Sequence, residues 1–165
     1  MHKLYLVAGQ PAVGKTTWAA ILAQSTRACF IDIDTLSEPI VRAGLGLGGM
    51  PMDDRDSLQY KQTFREPIYQ AMWQTARQNL PHVPVVMCAP FTKELQQPDW
   101  LQQIEQQIQC RVTVFWLYAS ETTIKRRMQK RGNKRDLAKL ATWGQYQSYF
   151  EVMPQCRHIA VNCDK

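Results

Sequence analysis

"GQPAVGKTT", Gly9 to Thr17, follows the apolar run "LYLVA" and precedes a stretch with helical character. It matches the pattern G-x-x-x-x-G-K-[ST] at Gly9, Gly14, Lys15 and Thr16, and a preceding strand and a following helix are the context this pattern requires. A plain tight turn would explain the two glycines but gives Lys15 and Thr16 no task. The stretch therefore favours a phosphate-binding loop.

Each part of such a loop has a chemical task. Backbone N–H groups and the positive end of the following helix hold phosphates. Lys15 neutralises β- and γ-phosphate charge, and the Thr16 hydroxyl binds Mg²⁺. ATP and Mg²⁺ are therefore the expected cofactors. The predicted nucleotide contacts are Gly9, Gln10, Pro11, Ala12, Val13, Gly14, Lys15, Thr16 and Thr17.

Length and composition limit the class of protein. The 165 residues predict a single domain over 1–165. The apolar stretch near the start is too short for a secretory signal, and no run approaches the ~18 apolar residues of a membrane span. We expect a cytoplasmic protein without a membrane partner. Five cysteines without C-x-x-C spacing predict reduced, mostly buried thiols, and the isolated histidines suggest no metal cluster.

Much of the net charge of +6 lies in "IKRRMQKRGNKRD", residues 124–136. A charge run of this kind is typical of a solvated helix face. Arg127, Arg131 and Arg135 also recur at four-residue steps, which would align them on one side of a helix. Arginines that can aim together are suited to binding polyphosphate.

Apolar, β-branched runs alternate with helical patterns, which indicates βα repeats around a parallel sheet. The predicted strands are 3–8, 28–33, 83–88, 111–118 and 157–162, and the predicted helices are 15–25, 35–43, 54–80, 93–109, 120–131 and 136–152. Pro67 is expected to kink or divide the long third helix. "GLGLGG", Gly44 to Gly49, interrupts the helical pattern as either a flexible linker or a hinge over a substrate pocket.

"FIDIDTLSE" places Asp32 and Asp34 at the predicted end of the second strand, near the phosphate loop, because ligands collect at the carboxyl ends of parallel strands. On an extended strand the two carboxylates would face the same side. Their repulsion would then require a positive partner, which Mg²⁺ and Lys15 could supply. Alternatively, either Asp caps a helix that begins near Thr35.

The motifs "GQPAVGKTT", "FIDIDTLSE", "VVMCAPFT" and "IKRRMQKRGNKRDLAKLATW" together resemble an AAA-domain family of small P-loop kinases. It includes zeta toxins, chloramphenicol phosphotransferase, gluconate kinase and the kinase domain of phage polynucleotide kinase. The resemblance covers most of the chain in order. It implies a three-layer α/β P-loop fold with a five-stranded parallel sheet in the order 2-3-1-4-5, as in nucleoside monophosphate kinases. It also implies an arginine-bearing lid at about residues 124–140.

The resemblance assigns roles as well. Asp34 is the base for the acceptor hydroxyl, and Arg127 and Arg131 reach the ATP phosphates when the lid closes, with Arg135 a further candidate. Lys15, Asp34, Arg127 and Arg131 are thus the predicted catalytic residues. Relatives often end the "VVMCAPFT" strand in an acidic residue, whereas this chain has Cys88. Thr16 and, through water, Asp32 are therefore the predicted metal ligands.

Each of two further groups of charged residues has two possible interpretations. Asp136 and Lys139 match an "RD..K" pattern in many relatives, and they form either an intrahelical pair or a substrate contact. Asp53, Asp54 and Arg55 follow the glycine-rich stretch, where such kinases hold their acceptor. An Asp-rich helix N-terminus explains them equally well.

The leading hypothesis is ATP-dependent phosphorylation of a hydroxyl on a small molecule. A polynucleotide 5′-hydroxyl kinase is an alternative that the basic charge favours. Against it, Trp143, Tyr146, Tyr149 and Phe150 lie beyond the basic run at helical spacing rather than within it. An ATP-binding regulatory switch is a third, although a switch needs no acceptor base. The sequence identifies neither the acceptor nor the oligomeric state.

Overall fold

The structure is a computed structural model that describes residues 2–55, 57–147 and 152–164, apart from the side chain of Arg135. Its strands are β1 (Leu4–Gly9), β2 (Cys29–Asp32), β3 (Val85–Cys88), β4 (Val112–Tyr118) and β5 (Ile159–Asn162). Its α-helices are α1 (Lys15–Thr26), α2 (Ile33–Leu47), α3 (Leu58–Tyr60), α4 (Glu66–Asn79), α5 (Trp100–Ile108), α6 (Glu121–Arg131), α7 (Lys134–Ala141) and α8 (Trp143–Tyr146). A π-helical turn, Lys61–Arg65, joins α3 to α4, and a 3₁₀ turn, Glu94–Gln96, precedes α5.

The five strands form one parallel sheet in the order β2-β3-β1-β4-β5. This confirms the predicted α/β class and strand order. All four residues of β3 are buried, because helices cover both faces of the sheet and a parallel strand between them has no solvent side. The register pairs Val7 with Cys88 and Asp32 with Cys88, which brings the carboxyl ends of β1, β2 and β3 together.

Two apolar clusters hold the layers on either side of the sheet. One contains Leu4, Leu6, Met87, Phe91 and residues of α4 and α5. The other contains Val7, Val86 and Leu117 with residues of α1 and α6. The alternation of Leu6 and Val7 between the two clusters follows from the two-residue period of a strand. Within the part of the chain described, no helix is long and apolar enough to cross a membrane.

The predicted interruption at Gly44 to Gly49 is wrong at its start. Helix α2 continues through Gly44 and Gly46 to Leu47. A Cβ at Gly44 would lie 2.9 Å from the ring of Phe64 in the π-helical turn. Gly44 therefore allows the close packing of this turn on α2, which offsets the usual cost of glycine inside a helix.

Residues 58–79 are helical without a gap, and a π-helical turn interrupts the α-helical pattern just before Pro67, where the sequence predicts a kink or a division. The π-helical turn ends at Arg65, and Pro67 occupies the first turn of α4. Proline has no N–H to donate, and it lies where the hydrogen-bond pattern changes from π-helical to α-helical. Single-turn π-helical segments of this kind are frequent near functional sites.

The basic stretch 124–136 does not form one helix. Gly132 ends α6 with φ 61°, a left-handed conformation suited to glycine, and α7 begins at Lys134. Arg127 and Arg131 therefore share α6, but Arg135 lies on α7, so the predicted row of three arginines on one helix is wrong. The predicted helix 136–152 is replaced by α7 and α8, while Tyr149 and Phe150 lie outside the described residues.

Gly9 is the position at which the fold tolerates least change. Its φ is 149°, and a Cβ there would lie 2.2 Å from the carbonyl oxygen of Leu117 in β4. We expect Gly9→Ala to lower the free energy of unfolding by about 3 kcal/mol or more, because strain and overpacking add. Denaturant unfolding monitored by circular dichroism measures it. Gly144→Ala is the control: Gly144 lies in α8 with open space around it, so that variant should be at least as stable as the parent. Equal stability of the two variants would contradict the prediction.

Candidate active site

The loop after β1 wraps around the side chain of Lys15. The Lys15 ammonium donates hydrogen bonds to the carbonyl oxygens of Gly9 at 3.1 Å and Gln10 at 2.8 Å. Ala12 and Gly14 have φ of 56° and 98°, so the chain turns tightly before α1 begins. A Cβ at Gly14 would meet no atom within 4 Å, so the space beside the N-terminus of α1 is open. This geometry fits a phosphate cradle.

Lys15 lies in a strongly perturbed electrostatic environment. Burial lowers the pKa of its ammonium, and the Asp34 carboxylate opposes that shift. The positive charges of Arg131 and Lys139 lower the pKa further. The fold thus brings residues from the loop, α2, α6 and α7 into one electrostatic neighbourhood, where an added polyphosphate would favour the charged ammonium.

Asp32 is buried and tied to three groups. Its Oδ1 accepts hydrogen bonds from the Thr35 N–H at 2.9 Å and the Thr35 hydroxyl at 3.0 Å, which caps α2. Its Oδ2 accepts a hydrogen bond from the Thr16 hydroxyl at 3.1 Å. The capping alternative therefore holds for Asp32, while the same carboxylate contacts the phosphate loop.

Asp34 occupies a different position from the one predicted. The strand ends at Asp32, and Asp34 lies in the first turn of α2, so the two side chains do not extend from one face of a strand. The reason is the cap at Asp32, which starts the helix at Ile33 rather than near Thr35. Asp34 is exposed, whereas Asp32 is 6% exposed. Of the pair, Asp34 is the one that a dissolved molecule can reach.

Thr16 and Asp32 offer oxygen donors of the kind that Mg²⁺ prefers. The Thr16 hydroxyl and Asp32 Oδ2 are neighbours at 3.1 Å, so one cation could contact both directly or through water. The described residues contain no group of three His, Cys, Asp or Glu side chains able to hold a metal. The donor set therefore fits an ion that takes its remaining ligands from water and phosphate.

Cys88 adds no negative charge to this pair of donors. It is 2% exposed and lies beside Asp32 across the β2–β3 register. Burial, followed by the Asp32 carboxylate, raises the pKa of the thiol to about 12. The group is thus a neutral thiol at physiological pH.

The two arginines of α6 have different partners. Arg127 donates from Nη1 to the carbonyl oxygen of Val13 and from Nη2 to that of Cys163, each at 2.7 Å. It therefore joins α6 to the phosphate loop and to the segment after β5. Arg131 instead pairs with Asp136 of α7. The side chain of Arg135 is not among the parts of the chain that the structure describes, so its predicted role stays a prediction.

A cavity of about 440 Å³ opens between α2, the segment 52–55 and the turn between α6 and α7. Its lining residues are Glu38, Arg42, Met52, Asp53, Arg55, Asn133 and Lys134. The sequence interpretation missed Glu38 and Arg42. They follow Asp34 by four and eight residues, and this helical period places all three on the same side of α2.

Arg55 lines this cavity and contacts several of the residues around it. Its Nη2 donates to Glu38 Oε2 at 2.7 Å, its Nη1 donates to the carbonyl oxygens of Met52 and Asp54, and its guanidinium lies over the ring of Tyr60. Asp54 Oδ1 accepts a hydrogen bond from the Ser57 N–H at 3.0 Å. Of the three predicted substrate-site residues, Asp53 and Arg55 therefore line the cavity, while Asp54 stabilises the turn before α3.

Arg127 permits a prediction about the phosphate loop. We expect Arg127→Ala to lower the free energy of unfolding by about 1–3 kcal/mol and to weaken ATP binding, because two charge-assisted hydrogen bonds to backbone carbonyls are lost. Denaturant unfolding and calorimetric titration measure the two effects. Arg126→Ala, at the exposed neighbouring position, removes the same charge and should change neither value. A parent-like Arg127→Ala would show that the contact with the loop is dispensable.

Comparison with known families agrees with this architecture. A family model described as an AAA domain (AAA_33) matches residues 4–153, and the chain belongs to this family. The matched range contains the phosphate loop, the Asp32–Asp34 segment, the cavity and the arginines of α6. A comparison with curated protein sequences finds no match.

Solved structures of small P-loop kinases share the fold. The sugar kinase of Janibacter sp. HTCC2649 has a TM-score of 0.63 at 18% identity, with coverage of 99% of this chain and 86% of that one. The gluconokinase of Sinorhizobium meliloti 1021 has a TM-score of 0.60 at 20% identity, with 99% and 83% covered. The shikimate kinase of Bacteroides thetaiotaomicron has a TM-score of 0.56 at 17% identity, with 99% and 87% covered. The protein therefore has a small P-loop kinase fold.

Proposed function

We propose that the protein is an ATP-dependent phosphotransferase that moves the γ-phosphate to a hydroxyl of a small polar molecule. One observation carries the proposal: the hydrogen bond from Thr16 to Asp32 holds the start of α2 against the phosphate loop, and the exposed Asp34 in that first turn shares the helix with Glu38 and Arg42 of the cavity. A molecule in that cavity could place a hydroxyl near Asp34 while ATP occupies the loop. The sugar kinase and gluconokinase neighbours support the same class of reaction.

In the proposed reaction, Asp34 accepts the proton of the acceptor hydroxyl. The acceptor oxygen forms a bond to the γ-phosphorus while the bond from this phosphorus to the bridging oxygen of ADP breaks. Lys15 and Arg131 neutralise negative charge on the phosphoryl group, and Arg127 keeps α6 on the loop. Thr16 and Asp32 would hold Mg²⁺, which supplies charge neutralisation across the phosphates.

The lining of the cavity favours a hydrophilic acceptor. Charged side chains of both signs and an amide surround it, and among the described residues that line it Met52 alone is apolar. Such a surface can pair with hydroxyl and carboxylate groups, whereas an apolar ligand would leave these groups without partners. A polyhydroxy compound, with or without an acid group, fits this chemistry.

The test is an acceptor screen with the full chain, ATP and Mg²⁺, in which ADP release is followed by a coupled assay. The panel contains sugars, sugar acids, cyclic polyols, nucleosides, hydroxylated antibiotics and an oligonucleotide with a free 5′-hydroxyl. We expect a small polyhydroxy compound to raise the rate of ADP release well above the rate measured without an added acceptor. Stimulation by the oligonucleotide alone would favour the polynucleotide kinase alternative. ATP binding without stimulation by any acceptor would favour the regulatory switch.

A further inference from the structure

A buried carboxylate holds Arg131 across the break between α6 and α7. Arg131 Nε donates to Asp136 Oδ2 at 2.5 Å, and its Nη2 donates to Oδ1 at 2.7 Å. The side chain of Asp136 is 4% exposed, whereas that of Arg131 is 55% exposed. Because the carboxylate is enclosed, it does not itself meet a ligand from solvent. The pair therefore anchors an exposed cation on a buried acid.

The geometry of this pair determines how the guanidinium is presented. Asp136 binds the edge formed by Nε and Nη2, so the plane of the guanidinium is fixed by two parallel hydrogen bonds. The Nη1 amino group remains outside the pair. An arginine without such a partner would lose more side-chain freedom each time it bound a phosphate. Arg131 is already oriented by Asp136, so it loses less side-chain entropy when it binds a phosphate.

The groups around Arg131 indicate which part of the site its guanidinium faces. The pKa of Lys15 is lowered by the charge of Arg131, and that of Arg131 is raised chiefly by its hydrogen bonds to Asp136 and also by Asp34. Arg127, one turn earlier on α6, donates to the Val13 carbonyl oxygen of the phosphate loop at 2.7 Å, so α6 carries Arg131 beside that loop. The turn that follows it contributes Asn133 and Lys134 to the acceptor cavity.

We propose that Asp136 is a positioning residue that presents Arg131 to the γ-phosphate of bound ATP. The inference rests on the proposed function, because it requires ATP in the phosphate loop. It gives Asp136 a role that differs from both sequence alternatives, the pair with Lys139 and a direct substrate contact. Its consequence is selective: loss of the carboxylate should weaken binding of a nucleotide with a γ-phosphate more than binding of ADP.

Calorimetric titration of the full chain with AMP-PNP and with ADP, both in excess Mg²⁺, tests this. We expect Asp136→Asn to weaken AMP-PNP binding about tenfold and to leave ADP binding within about twofold, because a charge-assisted contact to the γ-phosphate is impaired. Arg131→Ala should show the same selectivity. The double variant should be no worse than Arg131→Ala alone, because residues that act through one contact are not additive.

Glu121→Gln is the matched control, since it also replaces an acid by an amide in an ion pair of α6, that of the exposed Glu121 with Lys125. It should bind both nucleotides as the parent does. If Asp136→Asn does not fold, Asp136→Glu takes its place, and the longer side chain should still cause a selective loss of AMP-PNP affinity. Equal losses for both nucleotides, or unchanged AMP-PNP binding, would overturn the positioning role. A parent that binds neither nucleotide would overturn the proposed function and this inference with it.

Discussion

Replacing Asp34 with Asn should lower the rate of phosphoryl transfer by about 10² to 10⁴-fold while ATP still binds, because the amide cannot accept the hydroxyl proton. This substitution should leave the start of α2 intact. The cap of α2 is supplied by Asp32, so Asp34→Asn keeps the hydrogen bonds that start the helix. The measurement pairs calorimetric ATP affinity with acceptor-dependent ADP formation, using the acceptor found in the screen.

Two comparison variants sharpen the Asp34 experiment. Asp99→Asn changes an exposed aspartate at the start of α5 and should leave both values unchanged. Asp32→Asn can keep the helix cap through its amide oxygen but loses the carboxylate oxygen that accepts from Thr16, so its stability should fall only slightly. Loss of ATP binding in Asp34→Asn would place Asp34 in the nucleotide site instead. Full turnover in that variant would show that the proton leaves by another route.

Replacing Lys15 with Ala should abolish detectable transfer and weaken ATP binding by about ten- to a hundredfold. The ammonium lies at the centre of the loop, bonded to the carbonyl oxygens of Gly9 and Gln10. Its removal leaves phosphate charge to be balanced by neutral amides and more distant arginines. ATP titration and the ADP assay measure both effects.

Lys130→Ala is the control for the loss of a lysine charge, since Lys130 lies exposed in the last turn of α6. It should bind ATP and transfer phosphate like the parent. Circular dichroism of Lys15→Ala checks that the fold is kept. A folded Lys15→Ala protein with parent-like ATP affinity would contradict the assignment of the phosphate loop.

The sheet and the loop were predictable because their signals are local. Each strand is a short apolar run, and the pattern at Gly9 to Thr16 specifies a turn, a cation and a hydroxyl in fixed order. The start of α2 was harder to predict from the sequence. Asp32 and Asp34 are both good caps, and the choice depends on the third partner, Thr16, which lies on another element.

Contacts over long sequence distances account for the other differences. Helix α2 continues through Gly44 because the Phe64 ring packs there, and neither residue alone indicates this. The partners of Arg127 are backbone carbonyls of Val13 and Cys163, which carry no side-chain signature. The break at Gly132 has a recognisable cause, since glycine is common where helices end, but a basic run on both sides masks it.

Transfer of labelled phosphate tests the central claim most directly. The parent and Asp34→Asn proteins are incubated with ATP labelled at the γ-phosphate, Mg²⁺ and the acceptor from the screen, and the labelled phosphate ester is separated and counted. The parent should place the label on the acceptor, and Asp34→Asn should do so about 10² to 10⁴-fold more slowly. If the parent releases the label only as inorganic phosphate, whatever the acceptor, the proposed transfer to a hydroxyl is contradicted.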